Sequence, residues 1–480
     1  MTSAIAKGPF IGQRHVQSLL LFACIAINYM TKYNASISLV AMTNATAANP
    51  DFPQYEWSET QKSYILSSFF WGYIVTQLPA GYVCKRFGAK ATILASTLAS
   101  SLVGLALPFT LKWGDWQIFC TVRVLQGLFQ GFDLPAVYAH LAHWSPVEER
   151  NRLGVLANSG IDCGTVMAMF VSGLIATSSL GWPGISYITC VLGLIWCFLW
   201  EIFGANTPNT SKFISQEERN FIHSSLTKKE IEDSDMPTMK SIPIPWKAIA
   251  TSIPFWSLLI TRSAELWFFS TMQAAIPEYM SGVFGMDMKN NTLYSGLPFI
   301  AMWIMAYVYL TLADVLLNYK ILPLLVLRKT YNSIAFWIPA MCLIGIGFLH
   351  SDQKILAGIL LICITAINAA NMIGSGLNVI DLSPNHAGIL MSIVNTVSSV
   401  MPIITPLVTG AIVHDEANYQ QWKIVFAISA VILIVSNIIY LIWGTTNLQS
   451  WNDPNFLVTT NSTSQLFYEE GPSGSKDVAR

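Results

Sequence analysis

Twelve long apolar stretches constrain this chain of 480 residues more than any other feature. A bilayer core about 30 Å thick requires roughly 20 mostly apolar residues per helix, and each stretch approaches or exceeds that length. Charged residues make up only 11% of the chain, against about 25% in a typical soluble protein. We therefore predict an all-α integral membrane protein with twelve transmembrane helices, at 17–42, 61–83, 90–111, 117–142, 153–177, 184–204, 254–282, 293–314, 331–349, 354–377, 387–412 and 421–443.

A polar insertion between the sixth and seventh stretches divides the chain into two sets of six helices. We predict an N-terminus (1–16), a first bundle (17–204), a linker (205–253), a second bundle (254–444) and a disordered tail (445–480). Most Lys and Arg residues fall in the termini, the linker and the short loops on the same side, which predicts that both termini are cytoplasmic. Two pseudo-symmetric six-helix halves are typical of secondary transporters.

Three basic and three acidic residues lie deep within the apolar stretches: Lys32, Arg123, Arg262, Asp133, Asp162 and Glu265. Each costs at least about 2.5–3.5 kcal/mol in the bilayer centre, so such residues mark paired sites or pathways. The balance of 26 basic and 27 acidic residues gives no concentrated basic surface, so we expect no nucleic-acid partner.

The spacing of polar residues predicts an anion site between the first and fourth helices. Asn28, Lys32 and Ser36 follow steps of four along one helix face, and a second polar face carries Arg123, Gln126, Gln130 and Asp133. Two polar faces with one cation each favour a cavity that receives an anion. Arg would bind the anion through two parallel hydrogen bonds, and Lys would act as a point charge. Arg262 has two readings: a further substrate contact, or a local ion pair with Glu265 three residues later.

Coupling to a cation gradient requires a carboxylate that can bind a proton or sodium. Asp133 and Asp162 are the first candidates, and Glu265 and the neutral Gln130 are the further ones. We expect no cofactor and no metal site beyond the co-transported Na⁺ or H⁺. Neither an HExxH nor a GxSxG motif is present, which argues against an enzyme. Polar residues of the eleventh stretch, including Asn395, either line the pathway or hydrogen-bond between helices.

Four strings resemble the anion:cation symporter family of the major facilitator superfamily. They are SSFFWGYIVTQLPAGY (67–82), RVLQGLFQG (123–131), WSPVEER (144–150) and DLSPNHAG (381–388), and the similarity extends from about residue 15 to 451. The family contains type I sodium-phosphate cotransporters, sialin and vesicular glutamate transporters. The resemblance implies a rocker-switch symporter that moves inorganic phosphate or small organic anions with sodium or protons.

Residue by residue, the resemblance assigns Arg123 to the anion site and places Lys32 where relatives usually carry arginine. Gln130 stands where sialin-like members have glutamate. Glu265 stands where vesicular glutamate transporters have arginine, which disfavours that subgroup. The loop after the second helix keeps a superfamily gating motif at Gly81, Arg86, Gly88 and Lys90. In overall style the chain is similar to invertebrate members labelled putative inorganic phosphate cotransporters.

Other expectations concern the setting of the protein. An uncoupled anion channel or uniporter, or a transporter-like sensor, is the alternative function. It is suggested by two departures from the family pattern: Gln130 replaces a glutamate, and Lys85 stands where many superfamily members carry aspartate. The short N-terminus carries no clear acidic dileucine signal, which favours the plasma membrane over lysosomal or vesicular membranes. We expect a monomeric functional unit and glycosylation at the outward sequons Asn44 and Asn290.

Overall fold

The structure is a computed structural model that describes residues 9–43, 49–146, 149–234, 244–349, 353–383, 386–453 and 456, and the regular secondary structure of these residues is helical. The described helices of the first half are α1 (Gln13–Thr43), α2 (Glu59–Phe87), α3 (Ala89–Leu105), α4 (Leu107–Gln130), α5 (Asp133–Trp144), α6 (Arg150–Asn158), α7 (Gly160–Ala176) and α8 (Gly181–Phe203).

The linker contributes α9 (Gln216–Ser234) and α10 (Trp246–Ala250). The described helices of the second half are α11 (Ile253–Gly282), α12 (Met288–Asn318), α13 (Leu324–Ile346), α14 (Lys354–Asn368), α15 (Asn378–Leu382), α16 (Ala387–Ser398), α17 (Met401–Ile412) and α18 (Tyr419–Trp443).

Five of the predicted stretches are interrupted. The third passes from α3 into α4 at Ala106, and α4 itself has non-helical backbone at Gly114 and Asp115. The fourth is interrupted between α4 and α5 at Gly131, and the fifth between α6 and α7 at Ser159. A π-helical turn, Met372–Gly376, lies between α14 and α15 in the tenth. The eleventh breaks between α16 and α17, where Pro402 occupies the first turn of α17 and has no N–H to donate. Hydropathy detects the apolar run but not these backbone breaks.

Helix packing in the first half is repeated in the second. α1 packs on α7 and α8, and α11 packs on α17 and α18 in the same way. The pairs α2 with α4 and α3 with α8 recur as α12 with α14 and α13 with α18. The two halves meet through α1 with α11, α2 with α17 and α7 with α12, which is the pattern that a two-fold pseudo-symmetry produces.

The outer faces of the bundle are apolar. On α8, Val191, Ile195, Phe198 and Ile202 are exposed at steps of four, three and four, so they form one stripe that faces away from the protein. A contiguous exposed apolar surface of this kind marks contact with lipid. Among the described residues, seven helical stretches are long and apolar enough to cross a membrane: 89–111, 152–176, 181–203, 290–318, 354–382, 389–412 and 419–443. The chain is a multi-pass membrane protein.

The remaining predicted stretches are also helical, but they carry more polar and charged side chains. They correspond to α1, α2, the α4–α5 pair, α11 and α13. All five elements carry buried charged side chains, among them Lys32, Lys62, Arg123, Glu265 and Arg328. The least apolar helices therefore build the polar interior.

The linker is docked onto the first half by a buried ionic network. Glu218 of α9 accepts hydrogen bonds from the backbone N–H groups of Gln13 and Arg14 at the start of α1, at 2.8 and 3.0 Å. The Arg14 guanidinium donates to Glu218 at 3.0 Å and to Glu149 at 2.5 and 3.1 Å. These hydrogen bonds from Arg14 hold the pKa of Glu149 below its usual range. We call this end of the bundle the linker end, and the other the opposite end.

The prediction of a disordered tail is wrong for its first residues. Trp451 is buried, and Ser383 donates to Asn452 at 2.8 Å, so residues 445–453 pack on the linker end of the second half. The His386 ring meets the Trp451 ring edge to face, with ring centroids 6.1 Å apart. Burial of one aromatic side chain offsets the entropy cost of ordering a short segment. The average composition of the tail does not reveal this contribution. Residues 457–480 lie outside the described part.

Candidate functional site

The side chain of Lys32 lies in an aromatic cage in the middle of α1. Its Nζ atom is 4.4 to 6.0 Å from five ring centroids, those of Tyr29, Tyr33, Phe69, Phe70 and Tyr73. Lys32 is 8% exposed and forms no ion pair with any described residue. Cation–π contacts contribute about 2 kcal/mol or more when desolvated, whereas burying an ammonium costs several. The cage offsets only part of that cost, so an anion would complete the site.

Arg123 of α4 ties this helix to α1 beside Lys32. Its Nη1 donates to the Thr31 carbonyl and its Nη2 to the Lys32 carbonyl, both at 2.9 Å, and Nη1 also reaches Gln126 at 3.3 Å. The guanidinium lies over the Phe69 ring at 5.0 Å. Nε is buried and has no hydrogen-bond partner among the described residues. Arg123 therefore positions α1 and adds positive charge, while Nε is its one nitrogen without a described acceptor.

The predicted residues Asn28 and Asp133 are in direct contact. Asn28 donates to Asp133 Oδ2 at 2.8 Å, and Asp133 Oδ1 is buried without a partner among the described residues. Asp133 begins α5 immediately after the break at Gly131. Gln130 donates to Ser100 at 2.9 Å and so faces α3. The break thus turns the carboxylate toward α1.

A cavity of about 20 Å³ connects these groups, and its lining includes Asn28, Lys32, Tyr73, Gln130 and Asp133. This volume has room for about one water molecule or two. In this conformation the site is closed around its own side chains. The cavity is too small for an ion the size of phosphate unless its aromatic walls move apart.

Close contact between α2 and α4 fixes the cage. A Cβ atom at Gly72 would lie 2.0 Å from the Val124 carbonyl oxygen, and one at Gly127 would lie 1.9 Å from that of Phe69. Small residues facing each other in this way let membrane helices approach closely. Phe69 is thereby held between the two cations.

The second half has its own acid–amide contact at an equivalent place. Glu265 of α11 accepts from Asn368 of α14 at 3.1 Å, and Asn368 also donates to the Ala335 carbonyl at 3.2 Å. Arg262 forms no ion pair with Glu265 or another described acid, so the local pair considered above is absent from this conformation. Arg262 lies beside the π-helical turn, and π-helical turns are frequent at functional sites.

Other predicted residues lie apart from this group. Asp162 is partly buried in the first turn of α7, and Asn395 is exposed on α16. Neither lines the cavity. Asn290 is exposed and donates to Asp287 at 2.6 Å, whereas Asn44 lies outside the described residues.

The predicted gating motif forms a turn at the linker end. Gly88 has a φ of 85°, and a Cβ atom there would lie 2.9 Å from the Asn206 side chain. Lys90 donates its backbone N–H to Asn206 at 3.3 Å, and its Nζ lies 3.5 Å from Glu201. Gly81 and Arg86 are exposed. Asn206 was not predicted from the sequence, because its position after α8 belongs to no recognisable motif.

The aromatic cage itself was also missed. None of its five rings was assigned to the anion site from the sequence. Tyr29 and Tyr33 sit within one turn of Lys32, a spacing that could have indicated the contact. Phe69 and Phe70 come from another helix, so their contribution depends on the packing of α2.

Comparison with known proteins identifies relatives along most of the chain. The family model described as Major Facilitator Superfamily matches residues 21–399. A protein of Drosophila ananassae named "Putative inorganic phosphate cotransporter" is 32% identical over 459 residues, covering 91% of this chain and 93% of that protein. Vesicular glutamate transporter 3 of Danio rerio is 29% identical over 450 residues, covering 92% of this chain and 75% of that protein.

Sialin of Homo sapiens is 27% identical over 459 residues, covering 91% of this chain and 90% of that protein. Among solved structures, a bacterial homolog of the human lysosomal transporter Spinster matches with a TM-score of 0.67 at 12% identity. That match covers 90% of this chain and 97% of the other, and it shows a shared fold.

Proposed function

Because the chain belongs to the Major Facilitator Superfamily, and to its anion:cation symporter group, we propose that it is a secondary active transporter of a small anion. Its fold and relatives are those of membrane transporters and not of enzymes. The observation that carries the proposal is Lys32, a buried cation without an acidic partner among the described residues. With Arg123 beside it, the site carries more positive than negative charge and attracts an anion.

The proposed substrate is inorganic phosphate or a small organic anion. Relatives along almost the whole chain carry the names "Putative inorganic phosphate cotransporter", "Vesicular glutamate transporter 3" and "Sialin". An arginine and a lysine together suit both phosphate and small organic anions. The planar guanidinium of Arg donates parallel hydrogen bonds, and the ammonium of Lys acts as a compact positive charge. The closed cavity requires that binding accompany a movement of the two halves, as alternating access demands.

The proposed coupling ion is Na⁺ or H⁺, and Asp133 is the first candidate to carry it. Its carboxylate contacts Asn28 in the same cavity as Lys32, and its second oxygen has no described partner. An ion on Asp133 would therefore act directly on the charge balance of the anion site. Asp162 and Glu265 are the next candidates, although each lies outside that cavity.

We further propose that the linker end faces the cytoplasm, that the protein resides in the plasma membrane and that it works as a monomer. The distribution of basic residues supports the orientation. On that orientation Asn290, exposed at the opposite end, is available for glycosylation. The transport site lies within one chain, between α1, α2 and α4, which supports a monomeric unit.

The test is uptake of labelled phosphate and of labelled organic anions into cells that express the protein. Each uptake is measured with and without Na⁺ and at two pH values, so that one screen identifies the anion and the coupling ion. We expect accumulation that depends on one of the two gradients. Lys32→Met and Arg123→Ala should each reduce uptake at least tenfold, since each removes a buried charge from the anion site.

Lys423→Met is the matched control, because Lys423 also stacks on an aromatic ring, Phe348 at 3.8 Å, but lies at the opposite end of α18 from the linker. It should leave uptake unchanged. Undiminished uptake by Lys32→Met at wild-type surface expression would refute the site. A current that reverses at the anion equilibrium potential without accumulation would instead establish the uncoupled alternative.

A further inference from the structure

Four charged side chains meet where the two halves touch at the opposite end. Lys62 of α2 donates to Glu59 at 2.7 Å and to Glu416, which precedes α18 in the second half. Glu278, near the end of α11, interacts electrostatically with all three. We call Glu59, Lys62, Glu278 and Glu416 the gate cluster. Lys62 with Glu416 is the one ion pair between the two halves that the described residues form.

Backbone packing holds the gate cluster closed. A Cβ atom at Gly410 of α17 would lie 2.7 Å from the Glu59 carbonyl oxygen, and one at Gly282 of α11 would lie 2.5 Å from Cβ of Glu416. These contacts leave little space for solvent. The side chains of Lys62 and Glu59 are 8% and 9% exposed, that of Glu416 is 23% exposed, and Glu278 is 5% exposed.

The cluster has one base for three acids. With every carboxylate ionised it would hold two uncompensated negative charges in a nearly water-free contact, at a cost of several kcal/mol each. Glu278 shows this lack of compensating positive charge directly, because its Oε1 is buried and has no hydrogen-bond partner among the described residues. The remaining titratable groups of the adjoining loop, His414 and Asp415, are exposed and cannot compensate it.

We propose that the gate cluster is a proton-binding latch: the halves close at the opposite end with at least one of its carboxyl groups protonated, and their separation releases that proton to the outer solution. No covalent step is involved, since the proton passes between a carboxylate and water. The latch rests on the proposed alternating access but not on the identity of the anion. It is separate from Asp133, which lies in the cavity at the middle of the bundle.

Linkage gives the sign and the size of the effect. Burial raises the pKa of Glu59 to about 7 in the closed state, whereas an exposed glutamate has a pKa of about 4.3. The proton therefore stabilises closure below about pH 7, and this stabilisation is lost as the pH rises through that value. For one proton, the ratio of open to closed molecules should increase roughly 30-fold between pH 5.5 and pH 8.

The test measures access from the outer solution to a cysteine placed behind the latch. Val40 is 4% exposed and lies on the face of α1 that carries Tyr33, whose ring meets Phe269 of the second half. A membrane-impermeant thiol reagent is applied to cells that express Val40→Cys, and the wild-type chain gives the background from its own cysteines. Ala411→Cys, at an exposed position of the same end, corrects for the intrinsic pH dependence of thiol reactivity.

After that correction, labelling of Val40→Cys should be at least tenfold faster at pH 8 than at pH 5.5. Glu59→Gln with Glu278→Gln mimics the protonated carboxyl groups, so labelling should be slow at both pH values. Glu56→Gln, at an exposed position just before α2, should behave like the parent. A corrected ratio below about threefold in the parent, or an unchanged ratio in the Glu59→Gln, Glu278→Gln variant, would overturn the latch.

Uptake is measured in parallel on the wild-type chain, so that failure of the latch and failure of the transport proposal are distinguishable. If the reporter variant does not reach the surface, the pH dependence of tryptophan fluorescence in the purified protein replaces the labelling. Trp422 donates to the Glu416 carbonyl at 2.9 Å and reports on movement of this segment. A pH response that is identical in wild type and the double glutamine variant would equally overturn the proposal.

Discussion

Substitution of Gly127 by alanine tests whether the contact between α2 and α4 positions the cage. The added Cβ would lie 1.9 Å from the Phe69 carbonyl oxygen, and real Cβ atoms essentially never approach closer than 3.0 Å. The two backbones must therefore separate by about 1.1 Å, because a main-chain oxygen cannot rotate away as a side chain does. Overpacking of this kind costs typically about 1–3 kcal/mol.

For a unit of 150–250 residues, roughly the size of one half, each kcal/mol lowers Tm by about 2–4 °C. We therefore expect Gly127→Ala to unfold roughly 2–12 °C below wild type in detergent. Uptake should fall as well, since the Phe69 ring lies 5.0 Å from the Arg123 guanidinium and moves with α2. The assays are thermal unfolding of the purified protein and initial uptake rate at matched expression.

Gly81→Ala is the matched control, because in the described part of the chain no atom of another segment lies within 4 Å of a Cβ atom at that position of α2. It should keep the wild-type Tm. Equal thermal stability of Gly127→Ala and Gly81→Ala would refute the reasoning, since it would mean that the contact is not tight in the working protein.

Three further predictions concern single polar contacts. Glu218→Gln should lower Tm by several degrees, because removing one partner of a buried ion pair costs about 3–5 kcal/mol, while Glu217→Gln at an exposed position should not. Asp133→Asn should preserve folding, measured by Tm, but abolish gradient-driven accumulation of the anion. Arg328→Met should destabilise the second half, measured by limited proteolysis, because Arg328 donates to Asp381 at 2.9 and 3.2 Å.

The sequence predicted the helices well because a bilayer imposes a simple rule on length and polarity. Each predicted stretch coincides with a helix or with two consecutive ones. The rule carries no information on backbone breaks, which depend on residues such as Gly131 and Pro402 and on their neighbours. The sixth stretch illustrates the other limit: α8 begins at Gly181, three residues before the predicted start.

The candidate site was predictable where one helix supplies the pattern. Lys32 and Asn28 follow from the spacing along α1, and the structure places both beside the cavity. The partners of these residues were not predictable from spacing. Asn28 meets Asp133 because the chain breaks at Gly131, and Glu218 reaches Arg14 across 204 positions. Contacts between distant segments require packing, which a single sequence does not display.

The contact between Glu218 and the start of α1 has a consequence for biosynthesis. The acceptor for the backbone N–H of Arg14 is the Glu218 carboxylate, which lies 204 residues further along the chain. At a synthesis rate of about 5–20 residues per second, that acceptor emerges roughly 10–40 s later. Until then the N–H groups of Gln13 and Arg14 lack Glu218 as their acceptor, so this end of the first half reaches its final form only when the linker has been made.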